Sequence, residues 1–97
     1  MSAWKLHGED GRFELHGRLD FDTVPDVFAA TERLFSGSGE ILLDLSAVDA
    51  CNSAALALLL EWRAEAGRRR RQIRFRNLPQ ALIAMARTSE SLDLLEN

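Results

Sequence analysis

The chain has a single cysteine, Cys51, so no internal disulfide can form, and no cysteine–histidine cluster has the spacing of a zinc site. Its two histidines, His7 and His16, fall in stretches that alternate like strands and read as solvent-facing residues. No metal and no cofactor are expected. The longest strongly apolar run, Ala54 to Leu60, is far short of the roughly 20 residues needed to cross a bilayer. Met1 to Leu6 offers neither a basic nor an apolar leader region, so neither export nor membrane insertion is expected. Ser36-Gly37-Ser38-Gly39 lacks the lysine and the preceding strand of a phosphate-binding loop. Neither histidine belongs to a nucleophile motif with Ser53 or Cys51, and Cys51 reads as a small buried or half-buried residue. No active site is legible. The net charge of −3 gives no global pull toward nucleic acid.

What is present suits one small folded unit. At 97 residues and 46% hydrophobic content, residues 1–97 make a single domain with a modest core. Trp4 and Leu6 alternate with Lys5 and His7 before the turn signal Asp10-Gly11. Phe13, Leu15, Gly17 and Leu19 then alternate with Arg12, Glu14, His16 and Arg18, which marks a strand with one buried face. Val24, Val27, Phe28, Thr31, Leu34 and Phe35 lie at helical spacing and predict one helix, with Thr23 as its N-cap. Ile41-Leu42-Leu43-Asp44-Leu45 reads as a central strand covered on both faces, ended by the polar break Asp49 to Ser53.

A second helix is expected from Ala54 to Ala66, a strand from Gln72 to Arg76, and a helix opened by Pro79 that carries Leu82, Ile83 and Ala86. Ser89 is the expected cap of a last short helix with Leu92 and Leu95. The order β-β-α-β-α-β-α-α predicts an α/β fold, a four-stranded mixed sheet with about four helices packed against it. Arg68 to Arg71, with Arg74 and Arg76, form the one basic cluster. No aromatics interleave it, so it reads as a solvated helix end and strand face, dispensable for folding, and not as a nucleic-acid site. A contact with acidic lipid headgroups or an acidic partner surface is its residual functional reading.

Leu43-Asp44-Leu45-Ser46, then Ser53 with Ala54 and Ala55 opening a leucine-rich helix, resembles the signature of STAS domains. The resemblance runs from about Phe13 to Leu95. Ala55 to Trp62, Phe75-Arg76-Asn77-Leu78-Pro79, Ala84-Met85-Ala86-Arg87 and Leu92-Asp93-Leu94-Leu95 look like one branch of that family. Its members are small cytoplasmic subunits of phospholipid-transport ABC systems in Gram-negative envelopes. The resemblance implies a non-enzymatic accessory subunit, peripheral on the cytoplasmic face of the inner membrane, that binds the transporter's ATPase and serves outer-membrane lipid asymmetry. The rival it implies is an anti-sigma-factor antagonist that binds an anti-sigma kinase and is switched by phosphorylation at Ser53. The acidic residue usual before that hydroxyl is Asn52 here, which counts against a kinase-driven switch.

Taken alone, Ser53 is a plain N-cap whose oxygen accepts from a first-turn amide. The family position adds partner contact. The helix that follows has no charged face in its first two turns, and an all-round apolar helix is covered on more than one side. The expected docking surface is therefore Ser53 with Asp49, Asn52, Ala54, Ala55, Ala57 and Leu58.

Overall fold

The hairpin closes on a two-residue turn in which Asp10 and Gly11 both have positive φ, 54° and 79°. That geometry matches the twist of the strands it joins. In the computed structural model, which describes residues 3–96, β1 (Trp4–Glu9) and β2 (Arg12–Leu19) pair antiparallel. β3 (Ile41–Cys51) and β4 (Ile73–Arg76) add in sequence order, each parallel to the strand before it. The strand alternation holds: Leu6, Phe13, Leu15, Leu19, Ile73 and Phe75 are all buried on one face.

β3 departs from expectation twice. It does not break at Asp49 but runs on to Cys51, because Ala47, Val48, Ala50 and Cys51 pair with His16, Gly17, Arg18 and Leu19 across two register shifts. Nor is it covered on both faces. Ile41, Leu43 and Leu45 are buried, while Leu42 and Asp44 are half-buried on a face that carries Arg12, Glu14, Arg74 and Arg76 in register with them. Long aliphatic stems in adjacent strands can shade one leucine without a second helical layer.

The helix expected over Val24 to Phe35 is two short ones, α1 (Val24–Phe28) and α2 (Thr31–Leu34). The cause lies in the long helix α3 (Ser53–Arg68). Trp62 is 0% exposed there, and its indole Nε1 donates to Thr31 Oγ1 at 2.9 Å. The Thr31 hydroxyl in turn donates to the Phe28 carbonyl at 2.5 Å. A side-chain hydroxyl that satisfies a backbone carbonyl competes with helix continuation. The stripe is broken accordingly, with Val27, Leu34 and Phe35 buried and Phe28 43% exposed. Thr23 does not cap α1 either; its hydroxyl donates to Arg18 O at 2.7 Å and accepts from Asp20 N at 2.9 Å.

α4 (Gln80–Thr88) follows Pro79 as expected, with Leu82 and Ala86 buried. Ser89 ends α4 by donating to Met85 O at 3.1 Å and does not cap α5 (Leu92–Leu95). The split of the first helix brings the described helices to five, with α1, α4 and α5 packed against α3.

The basic cluster is more structural than expected. Arg68 pairs with Glu61 and Glu65 at 2.8 and 2.6 Å. Arg69 pairs with Glu65 at 2.6 Å and Glu32 at 2.5 Å, with its guanidinium 4.9 Å from the Phe35 ring centroid. Arg71 donates to the carbonyls of Phe35 and Gly39. Of the four consecutive arginines, Arg70 alone is exposed without an ion pair or side-chain hydrogen bond among the described residues. Arg69→Gln should lower the urea midpoint clearly, and Arg70→Gln should not. Thr31→Val leaves the buried Trp62 N–H without its acceptor and should cost about 1–3 kcal/mol. Thr31→Ser, which keeps the hydroxyl, should recover most of that in the same urea titration.

Candidate functional site

At the end of β3 the chain turns into α3 through Asn52, whose backbone is extended at φ −132° and ψ −164°. Its Oδ1 accepts from Ala54 N at 2.9 Å, so Asn52 and not Ser53 is the N-cap. Ser53 becomes the first residue of the helix, where a side chain points away from the first-turn amides. It is exposed, and its hydroxyl forms no hydrogen bond among the described residues.

The expected contact residues divide by burial. Asp49 and Ala57 are exposed with Ser53, and Asn52 is half-buried. Ala54 is nearly covered. Ala55 and Leu58 are 0% and 2% exposed and belong to the core. They share the stripe of Leu59, Trp62 and Ala66, at the spacing that presents one helix face to the sheet. Burial takes Ala54, Ala55 and Leu58 out of the expected contact set; of its residues Asp49, Asn52, Ser53 and Ala57 stay accessible.

Two features escaped the sequence reading. Ser53 and Leu56 face Ala84, Met85, Thr88 and Ser89 of α4 and its end, across an apolar groove of about 390 Å³. Methionine suits such a surface because its flexible side chain adapts to different partners. The second feature is Phe21, 69% exposed in the β2–α1 loop. Asn52 N donates to Leu19 O at 3.2 Å, so this loop and the start of α3 leave the sheet at the same end. Phe21 interrupts the alternation of β2, precedes the helical stripe and sits between two aspartates, which was the available signal.

The loop around Phe21 is held from within. Asp20 Oδ1 accepts from the amides of Asp22 at 2.9 Å and Thr23 at 3.1 Å, and Arg18 Nε lies 2.5 Å from Asp20 Oδ2. Partial burial pushes the Asp20 carboxyl upward, but these amides and Arg18 outweigh it and hold the group below its usual value. An exposed aromatic is thus presented on an ordered turn.

Cys51 is half-buried, and burial pushes its thiol up, which disfavours the thiolate. His7 and His16 lie in the β1–β2 hairpin with their ring centroids 4.7 Å apart. Among the described residues no three or more His, Cys, Asp or Glu side chains group to hold a metal, and no helix is long and apolar enough to cross a membrane.

A family model described as "Mlab, STAS domain" matches residues 2–96. The chain belongs to the STAS domain family. No curated protein matches it. Among solved structures, the anti-sigma factor antagonist SpoIIAA in its unphosphorylated form is similar, with a TM-score of 0.72 and 18% identity over 95% of this chain and 84% of that one. At that identity the likeness shows the shared fold. STAS domains mediate protein–protein interactions, and their members are generally regulatory or accessory proteins.

Two outcomes test the geometry of this STAS domain. Asn52→Ala should lower stability by about 1 kcal/mol, and Ser53→Ala should leave it unchanged, in thermal melts run side by side. Because Asp20 is held below its usual value of 3.8, its contribution is complete above that pH and is lost as pH falls through the lower folded value. The Asp22 and Thr23 amide signals should therefore titrate with a midpoint below 3.8, and Asp20→Asn should abolish that titration.

Proposed function

We propose that this STAS domain is a non-catalytic accessory subunit that docks onto the cytoplasmic ATPase of an ABC phospholipid transporter serving outer-membrane lipid asymmetry. It would sit on the cytoplasmic face of the inner membrane through that partner. The observation that carries the reading is the uncommitted Ser53 hydroxyl at the lip of the apolar groove, relieved of capping by Asn52. The family description, with its Mlab label, supports the choice of partner. Ala57 and Phe21 would extend the contact, and Asp20, Asp22 and Asp49 around them suit a partner patch that is apolar at its centre and basic at its rim.

A switched anti-sigma-factor antagonist is the second reading, favoured by the same exposed hydroxyl. Phosphate on Ser53 would lie at the positive end of the 16-residue helix α3. Asn52 beside it, where that reading needs a carboxylate, favours the transporter instead.

Co-expressed with candidate partners, the chain should co-purify with the ATPase of a phospholipid transporter; capture of an anti-sigma kinase alone would install the second reading. Ser53→Asp would put an unpaired carboxylate into a desolvated contact, at several kcal/mol. Binding should weaken at least about a hundredfold while the melting temperature holds. Ala57→Arg should act alike through bulk and charge. Unchanged affinity in both variants would remove this surface from the interface.

A further inference from the structure

The two edges of the sheet are finished differently. Along β1, Arg33 of α2 takes outward carbonyls, Nη1 to Leu6 O at 2.7 Å and Nη2 to Gly8 O at 3.3 Å. A guanidinium across an edge blocks pairing with another chain. Among the described residues β4 has no such cover. In a parallel ladder the N–H and C=O of one residue serve one neighbour, and those of the next residue serve the other. Ile41 N donates to Gln72 O at 2.9 Å, so residues 72, 74 and 76 serve β3. Ile73 and Phe75 therefore present both backbone groups outward, and among the described residues nothing bonds to them.

Beside this edge run two hollows of about 460 and 310 Å³ that share Arg74 and Glu96. The far wall of the larger one includes Leu78, Ile83 and Leu95. An open strand edge facing helices across a groove is the arrangement that takes an extended peptide as an added strand. At about 3.3 Å per residue, β4 offers roughly 13 Å of edge.

A second copy of this chain is the wrong occupant. Two β4 strands related by a two-fold axis pair antiparallel, with side chains of the same face opposite each other. The registers that pair three residues of each β4, with 74 opposite 74 or 74 opposite 76, set arginine against arginine, and like charges directly opposite destabilise a strand pair. Arg76 has no ion pair among the described residues, and Arg74 has one, with Glu40 at 2.6 Å. The same two arginines that repel a copy attract carboxylates.

We propose that the free edge of β4 takes an extended acidic segment of a partner protein as a fifth strand. Carboxylates at alternate positions lie beside Arg74 and Arg76, and apolar side chains between them face Ile83 and Leu95. This goes beyond the docking proposed at Ser53, with which the edge shares no lining residue.

Amide hydrogen exchange with synthetic hexapeptides tests it. A peptide alternating glutamate and valine at millimolar concentration should slow exchange at Ile73 and Phe75 at least about tenfold. The same peptide with lysine for glutamate should not, and the Arg74→Glu/Arg76→Glu variant should reverse that preference while its β3 amides remain protected. N-methylation of the valines, which spoils strand pairing, should abolish the effect. Exchange unchanged by the acidic peptide overturns the proposal. So do equal protection by the lysine peptide, protection that survives N-methylation, and protection that rises with protein concentration in the absence of peptide.

Discussion

An indole N–H that lies inside a core must find an acceptor there, and much of this structure is arranged around that requirement. Trp62 is the largest fully buried side chain, and Thr31 is its partner. Bringing Thr31 over α3 ends α1 early and starts α2 one turn further on. α2 then supplies Glu32 to Arg69 and Arg33 to the β1 edge. One buried hydrogen bond thus links the seating of the central helix to the finishing of a sheet edge on the other side of the core. Trp62 holds the middle of α3 and Arg69 ties its end, and its first turn leaves the sheet beside Leu19.

The elements that sequence reveals best are those whose pattern is local. The Phe13–Leu19 alternation, the Asp10-Gly11 turn and the stripe through Ala55, Leu59, Trp62 and Ala66 each follow from neighbours in the chain, and each is present. The misses are non-local. Val24 to Phe35 reads as one helix until Trp62 claims the hydroxyl of Thr31. Asp49 to Cys51 reads as a break until Arg18 and Leu19 are there to pair with it. The single covered face of β3 depends on which side the helices chose, and Leu42 carries no mark of that choice.

The candidate site was legible to the same degree. The family signature points to the start of α3 as the candidate place. Two adjacent residues, Asn52 and Ser53, are both able to cap, and only the backbone of residue 52 decides between them. Among the small residues of the first turns, the helical stripe separates Ala57 from Ala55, but a helix expected to be covered on two sides gave no reason to apply it. The scaffold needs little identity to persist, as 18% across 95% of the chain shows. A core asks for apolar volume at the right spacing, and many sequences supply it.

The division of labour between residues 52 and 53 bears on how such sequences diverge. Position 52 is held by folding, because few side chains can close the first turn of α3. Position 53 carries no such duty. Exchanges there among serine, threonine, alanine or aspartate pass through the folded state unnoticed and are filtered by whatever touches the surface. In a lineage of these domains, variation at 52 would record the history of the fold, and variation at 53 would record changes of company.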